Sequence, residues 1–251
     1  MVSLENIVSW CDQRVRRSAI SDFPGAYNGL QFSNNGTVTK IGAAVDAGLI
    51  PFQKAAEAQV DFLIVHHGLF WNPLCPVTGA NHQKVAQLVN NNCAVYSSHL
   101  PLDCHSEIGN NACIAEKLGL ETINTFLPYE GNDIGLIARF GSSRDDLTKT
   151  LRDLFAETFV AVEYGSTHPE KVAILSGSGN SAVAQLKASG VDTLITGELN
   201  QKHFNFAQEK NLNLYCCGHY ATEVFGVQAL ATEVAEKFQL PWIFLPTNCP
   251  L

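Results

Sequence analysis

Hydrophobic positions along this chain switch between a three-to-four-residue spacing and short unbroken apolar runs, the marks of amphipathic helices and of strands covered on both faces. The helical spacing predicts helices over residues 3–17, 50–59, 82–91, 107–118 and 222–238, with another following residue 203 and reaching 210. Buried strands are expected over 40–45, 61–65, 93–97 and 212–216. The stretch 133–140, a helix over 145–155 and a strand over 159–163 read as an inserted or linking subdomain. Strand and helix alternating in this way predict an α/β fold with functional loops where strands end.

Part of the pattern occurs twice. The string KIGAAVDAG at 40–48 is matched 131 positions later by KVAILSGSG at 171–179, and the same offset, without a gap, lays VDFLI at 60–64 on VDTLI at 191–195. Two unrelated βαβ units share apolar strands, but an unbroken register favours duplication. The chain is therefore expected to divide into a first α/β lobe over 1–126, a linking or inserted segment over 127–167 and a second α/β lobe over 168–251.

Composition narrows the setting. A chain of 251 residues buries a core large enough to need no disulfide staples. Its eight cysteines show no compact framework or CxxC spacing, and the vicinal Cys216-Cys217 pair reads as strand packing. The first residues form an amphipathic pattern without a signal peptide's apolar region, and no apolar run approaches the roughly 20 residues of a spanning helix. Reduced thiols, a cytoplasmic location and no membrane insertion are the expectation. A net charge of −8 disfavours DNA and other phosphate backbones as partners. Only 16% of residues are charged, against a usual share of about 25%, which suggests self-association.

Candidate chemistry gathers at the strand ends. His66-His67-Gly68 leaves a buried strand, where a bend at Gly68 would let two rings that alternate in a strand reach one cavity. An adjacent histidine pair also fits a purely structural role. Asp103 leaves the next strand, where it would serve as a metal ligand or cap the helix expected from 107. His99, four residues earlier, is a candidate for orienting a ligand or substrate. His219 and Glu223, four positions apart, face one point if a helix begins near Tyr220, although a glutamate there also suits the helix dipole. Together His66, His67, Asp103, His219 and Glu223 supply three imidazoles and two carboxylates, enough for two divalent ions if one carboxylate bridges. Such ligands suit zinc, manganese, iron or nickel alike. Glu198 and His203, where the second repeat replaces the histidine pair, are candidate acids or bases, so the catalytic candidates are Glu223, His99, Glu198 and His203. Gly177-Ser178-Gly179 reads as a tight turn or as a phosphate cradle.

The motifs VHHGLFW (65–71), SHLPLD (98–103) and GHYATEVFGV (218–227), with NGLQ (28–31) and TGE (196–198), resemble the Nif-three-like (YbgI-type) dimetal family of GTP cyclohydrolase 1 type 2 homologues over essentially the whole chain. The resemblance implies a two-lobed α/β fold with an internal βαβ duplication and a ring-shaped homohexamer. It implies His67 and Asp103 on one metal, His66 and His219 on the other, and Glu223 as bridge. It also implies a hydrolase that opens a nucleotide purine ring, GTP being the leading substrate, by attack of a metal-bound hydroxide at C8. The alternative is a noncatalytic metal-binding ring that assembles with or regulates a partner. No GxxxxGK[ST] loop is present to hold a triphosphate.

Overall fold

The computed structural model describes residues 1–70 and 75–251. Its elements run β1 (Val2–Ser3), α1 (Leu4–Arg14), β2 (Gly29–Phe32), β3 (Thr37–Val38), β4 (Ile41–Asp46), α2 (Leu49–Glu57), β5 (Phe62–His67), α3 (Gly79–Asn90) and β6 (Ala94–Ser97). They continue with α4 (Leu100–Asp103), α5 (Asn110–Lys117), β7 (Glu121–Tyr129), β8 (Asn132–Arg139), α6 (Arg144–Leu154), β9 (Val160–Glu163) and β10 (Lys171–Ser178). Last come β11 (Thr193–Glu198), α7 (His203–Lys210), β12 (Asn213–Cys216), α8 (His219–Phe238) and β13 (Trp242–Phe244). Two compact units result: Met1–Leu102 with Gly226–Thr247, and Asp103–Phe225 with Asn248–Leu251.

The first unit is built on a five-stranded sheet in the order β13-β4-β5-β6-β2. Its first four strands are parallel and β2 closes one edge antiparallel. Because parallel strands are covered on both faces, β5 reads FLIVHH with five of its six residues buried, where a half-exposed strand would alternate. Phe52 of α2 and Leu88 of α3 pack in one core with Leu63, Val65 and Val95. The bidentate pair of Arg14 Nε and Nη2 with Glu233 Oε2 and Oε1, at 2.6 and 2.8 Å, ties α1 to the C-terminal half of α8.

The second unit carries a six-stranded sheet, β7-β8-β10-β11-β12-β9, parallel through β10, β11 and β12 and antiparallel outside them. Leu147 and Leu151 of α6 enter a core with Ile114, Val172, Ile174, Ile195 and Tyr215. The helix is started by a capping box, with Ser143 Oγ accepting from the Asp146 amide and the Asp146 carboxylate accepting from the Ser143 amide.

The duplication inferred from the sequence extends to strand register. Ala43 faces Ile64 across β4 and β5, and Ile174 faces Ile195 across β10 and β11, so both partners are displaced by the same 131 positions. Each parallel triplet is also closed by an antiparallel strand, β2 on β6 and β9 on β12. The chain thus has the expected α/β fold with an internal βαβ duplication. Among the described residues no helix is long and apolar enough to cross a membrane, and none of the eight cysteines forms a disulfide.

Several local expectations change. Residues 127–167 do not stand apart as a linker, because β8 pairs with β10 and β9 with β12 inside the second sheet. Strand β5 continues through His66 and His67, two residues beyond the end expected at Val65. Helix α5 begins at Asn110 with Gly109 at its cap position, so Asp103 does not cap a helix from 107; it ends the short α4, which periodicity did not reveal. Strand β7 was not anticipated because its side chains are mostly exposed and lack an apolar alternation. Trp71, the last residue of the first motif, lies outside the described residues.

Candidate metal centre

In the first unit β5 delivers two adjacent imidazoles to one place, and the segment after β6 adds a third. Ring centroids of His66 and His67 are 4.8 Å apart, those of His66 and His99 4.8 Å, and those of His67 and His99 5.6 Å. One ring nitrogen from each lies within 4.8 Å of the others. His66 is fully buried and His99 nearly so.

What fixes these rings is the partner of each Nδ1. His66 Nδ1 is 2.9 Å from the Ser98 carbonyl oxygen, His67 Nδ1 is 2.9 Å from Asp46 Oδ1, and His99 Nδ1 is 2.8 Å from Asp22 Oδ1. A carbonyl or a carboxylate accepts and does not donate, so Nδ1 carries the proton and Nε2 keeps its lone pair. Metal-binding histidines are held in this way by the atoms behind them. Asp22 also accepts from Asn28 Nδ2 at 2.7 Å and from the Leu100 amide at 3.0 Å, while Asn28 Oδ1 accepts from the His99 amide at 2.7 Å. Burial alone would raise the Asp22 carboxyl, but the hydrogen bond and charge of His99, with those of Asn28 and the Phe23 amide, bring it below the ordinary range.

The turn after the histidine pair depends on Gly68. Gln31 Oε1 accepts from the Leu69 amide at 2.6 Å, and a Cβ on Gly68 would lie 2.1 Å from Gln31 Nε2. The string at 28–31 is therefore a support for the histidines: Asn28 braces His99 and Asp22, and Gln31 braces the chain beyond His67.

In the second unit His219 opens α8. Its Nδ1 is 3.1 Å from Glu198 Oε1 at the end of β11, and its Nε2 is 3.1 Å from Glu223 Oε1 one turn on. Glu223 is 3% exposed. Burial would lower the His219 pKa, but the hydrogen bonds and charges of Glu223 and then Glu198 outweigh it and raise the value to about 9. Gly177 lies against this pair with φ +62°, and a Cβ there would sit 2.3 Å from Glu223 Oε1 and 3.1 Å from His219 Nε2. Only glycine leaves that space open.

Asp103 Oδ1 accepts from Asn110 Nδ2 at 2.8 Å and from Ser176 Oγ at 3.2 Å. The Ser176 amide donates in turn to Asn111 Oδ1 at 2.7 Å. His203 presents the opposite ring nitrogen, Nε2, to Asn180 Oδ1 at 3.1 Å, and burial followed by the charge of Lys202 lowers its pKa. The 177–179 segment does not form an anion cradle, since the Gly177 amide donates to Thr222 Oγ1 at 3.0 Å and the Gly179 amide to the Glu198 carbonyl at 3.1 Å. Cys217 packs into the core, as the strand-packing reading expects.

The structure therefore gathers His66, His67 and His99 in the first unit, and His219, Glu223 and Glu198 in the second. The donor chemistry suits a divalent metal: imidazoles each held through Nδ1 by an oxygen, and a buried carboxylate beside a histidine. Sequence reasoning missed Asp22, Asp46 and Ser176. Asp46 had a signal, being the polar end of a buried strand, and in the sheet it stands opposite His67. Asp22 had none, since it lies in a loop among ordinary turn residues.

The Duf34/NIF3 (NGG1p interacting factor 3) family matches residues 2–250. A Deinococcus radiodurans protein named GTP cyclohydrolase 1 type 2 homolog is 37% identical over 246 residues, 97% of this chain and 93% of that one. An Archaeoglobus fulgidus protein of the same name is 34% identical, covering 98% of this chain and 100% of the other. Among solved structures, TTHA1606 from Thermus thermophilus superposes with a TM-score of 0.88 at 36% identity, and the protein ybgI, titled as of unknown function, with 0.91 at 30%; both cover all of each chain. By sequence over its length and by fold, the chain belongs to the DUF34/NIF3 family.

Proposed function

We propose that this protein is a dinuclear metal-dependent hydrolase of the GTP cyclohydrolase type, acting on the purine ring of a nucleotide, with GTP the leading substrate. In this reading His67 and Asp103 would hold one divalent ion and His66 and His219 the other, with Glu223 shared between the two sets. The observation that carries it is the shared arrangement of His66, His67 and His219, each with Nδ1 against an oxygen acceptor, with the buried Glu223 carboxylate at His219 Nε2. The names of the relatives favour the reaction class.

When bound, two such ions supply Lewis acidity and bring a water's pKa toward neutrality. The chain's own residues do the rest. Ser98, Asp46 and Glu198 hold three imidazoles through Nδ1 and so keep the rings oriented. Asp22 does the same for His99, whose ring would face the substrate as an orienting group. The Glu198 side chain is half exposed and would pass a proton between His219 and solvent. His203, engaged by Asn180, has a structural role. The active form is proposed as a cytoplasmic, ring-shaped homohexamer.

Metal-reconstituted protein incubated with GTP should release formate and lose guanine absorbance. Glu223→Ala should reduce that rate by a factor of about 100 or more while the fold persists. Fully metallated protein with no turnover of GTP or other nucleotides would overturn the hydrolase reading and favour a noncatalytic, metal-dependent assembly.

A further inference from the structure

A cavity of about 450 Å³ in the first unit opens directly beside the histidine cluster, with His67 and its partner Asp46 in the wall. That volume lies in the range of small-molecule sites. The rest of the lining is of two kinds. Phe32, Leu69, Phe70, Val77 and Val85 make it largely apolar, while Asn81 and Lys84, on the same face of α3 as Val85, bring in a hydrogen-bonding amide and a cation. Phe70 and Val77 are 44% and 58% exposed, so aromatic and aliphatic surface borders a polar centre. In a chain of net charge −8, Lys84 is the one cationic side chain of this wall among the described residues. A larger cavity of about 910 Å³ between α1 and residues 33–36 is lined by none of the site candidates.

We infer that the cavity beside His67 is the substrate pocket and that it takes a phosphorylated nucleoside, the flat base against the apolar wall and the phosphate at Lys84. An apolar wall with two aromatic rings stabilises a planar heterocycle by stacking and burial. A lysine on a flexible stem is suited to a phosphate as a point charge. The inference rests on the metal reading above, because it sets the base beside His67.

Cys75 lies in the same wall and is exposed, so its alkylation reports occupancy. The probe is iodoacetamide labelling of metal-loaded protein, followed at Cys75 by peptide mass spectrometry, with metal content measured on the same samples. GTP should slow labelling at Cys75 several-fold and guanosine clearly less. Lys84→Ala should remove the advantage of GTP over guanosine and leave metal content unchanged. Metallated protein whose Cys75 reacts equally fast with and without GTP would overturn the pocket, and equal protection by GTP and guanosine in the unsubstituted protein would overturn the phosphate contact at Lys84. Protein that holds no metal yet shows the GTP protection would support the pocket and remove the metal reading, so the two ideas fail separately.

Discussion

At the scale of the residue, the proposed metal centre depends on what stands behind each donor. The Asp46 carboxylate holds His67 through Nδ1, and Ala at 46 leaves that ring free to turn. Losing such a partner typically weakens metal binding by about 10- to 100-fold. Asp46→Ala should show a drop of this size in a competitive chelator titration, with the thermal transition of the metal-free protein nearly unchanged. Gly177→Ala is a harsher change, since it adds a Cβ at φ +62° and 2.3 Å from Glu223 Oε1. The backbone strain alone costs about 1–3 kcal/mol, which denaturant unfolding would register. The histidine pair and the His219–Glu223 spacing were legible in the sequence because strand ends and helix starts announce themselves by periodicity. Asp22 was not, and Asp46 was marked only as the polar end of a buried strand, because a carboxylate's use as a brace depends on a neighbour brought up by folding.

At the scale of the element, periodicity found the strands that are covered on both faces and the helices with a distinct apolar side. Thus β4, β5, β10 and β11 were legible, and the 131-residue offset even carried their register. Strands β2 and β7 escaped, since edge strands of mixed polarity look like loops until a partner is known, and β13, at three residues, is too short to show a period. Helix α6 offers a direct comparison of what holds an element. Leu151 is fully buried, and Leu151→Ala should cost about 2–5 kcal/mol. Ser143→Ala, which removes the hydroxyl from the capping box, should cost about 1 kcal/mol. Asp146 is held below its ordinary pKa of 3.8 by the hydroxyls of Ser142 and Ser143 and by the Ser143 amide. Its support for the helix is therefore complete above pH 3.8 and is lost as the pH falls through the lowered value. Equal unfolding free energies for the two variants would contradict this ordering.

At the scale of the whole molecule, an internal duplication has produced two parallel strand triplets whose ends differ in chemistry. His66-His67 ends β5, and Gly197-Glu198 occupies the matching positions of β11. One copy offers imidazole donors and the other a carboxylate that steadies His219. With only 16% of its residues charged, the chain is predicted to assemble, and if it forms the homohexamer proposed above, light scattering should give a mass near six times 27.3 kDa. A monomer at micromolar concentration would remove the ring from the account. The central claim is the dinuclear centre, and elemental analysis of the native protein tests it most directly. Two divalent ions per chain are predicted, falling to one or none in Glu223→Ala at unchanged fold. A native protein that holds no more than trace metal after reconstitution, or a Glu223→Ala variant that keeps both ions, would contradict it.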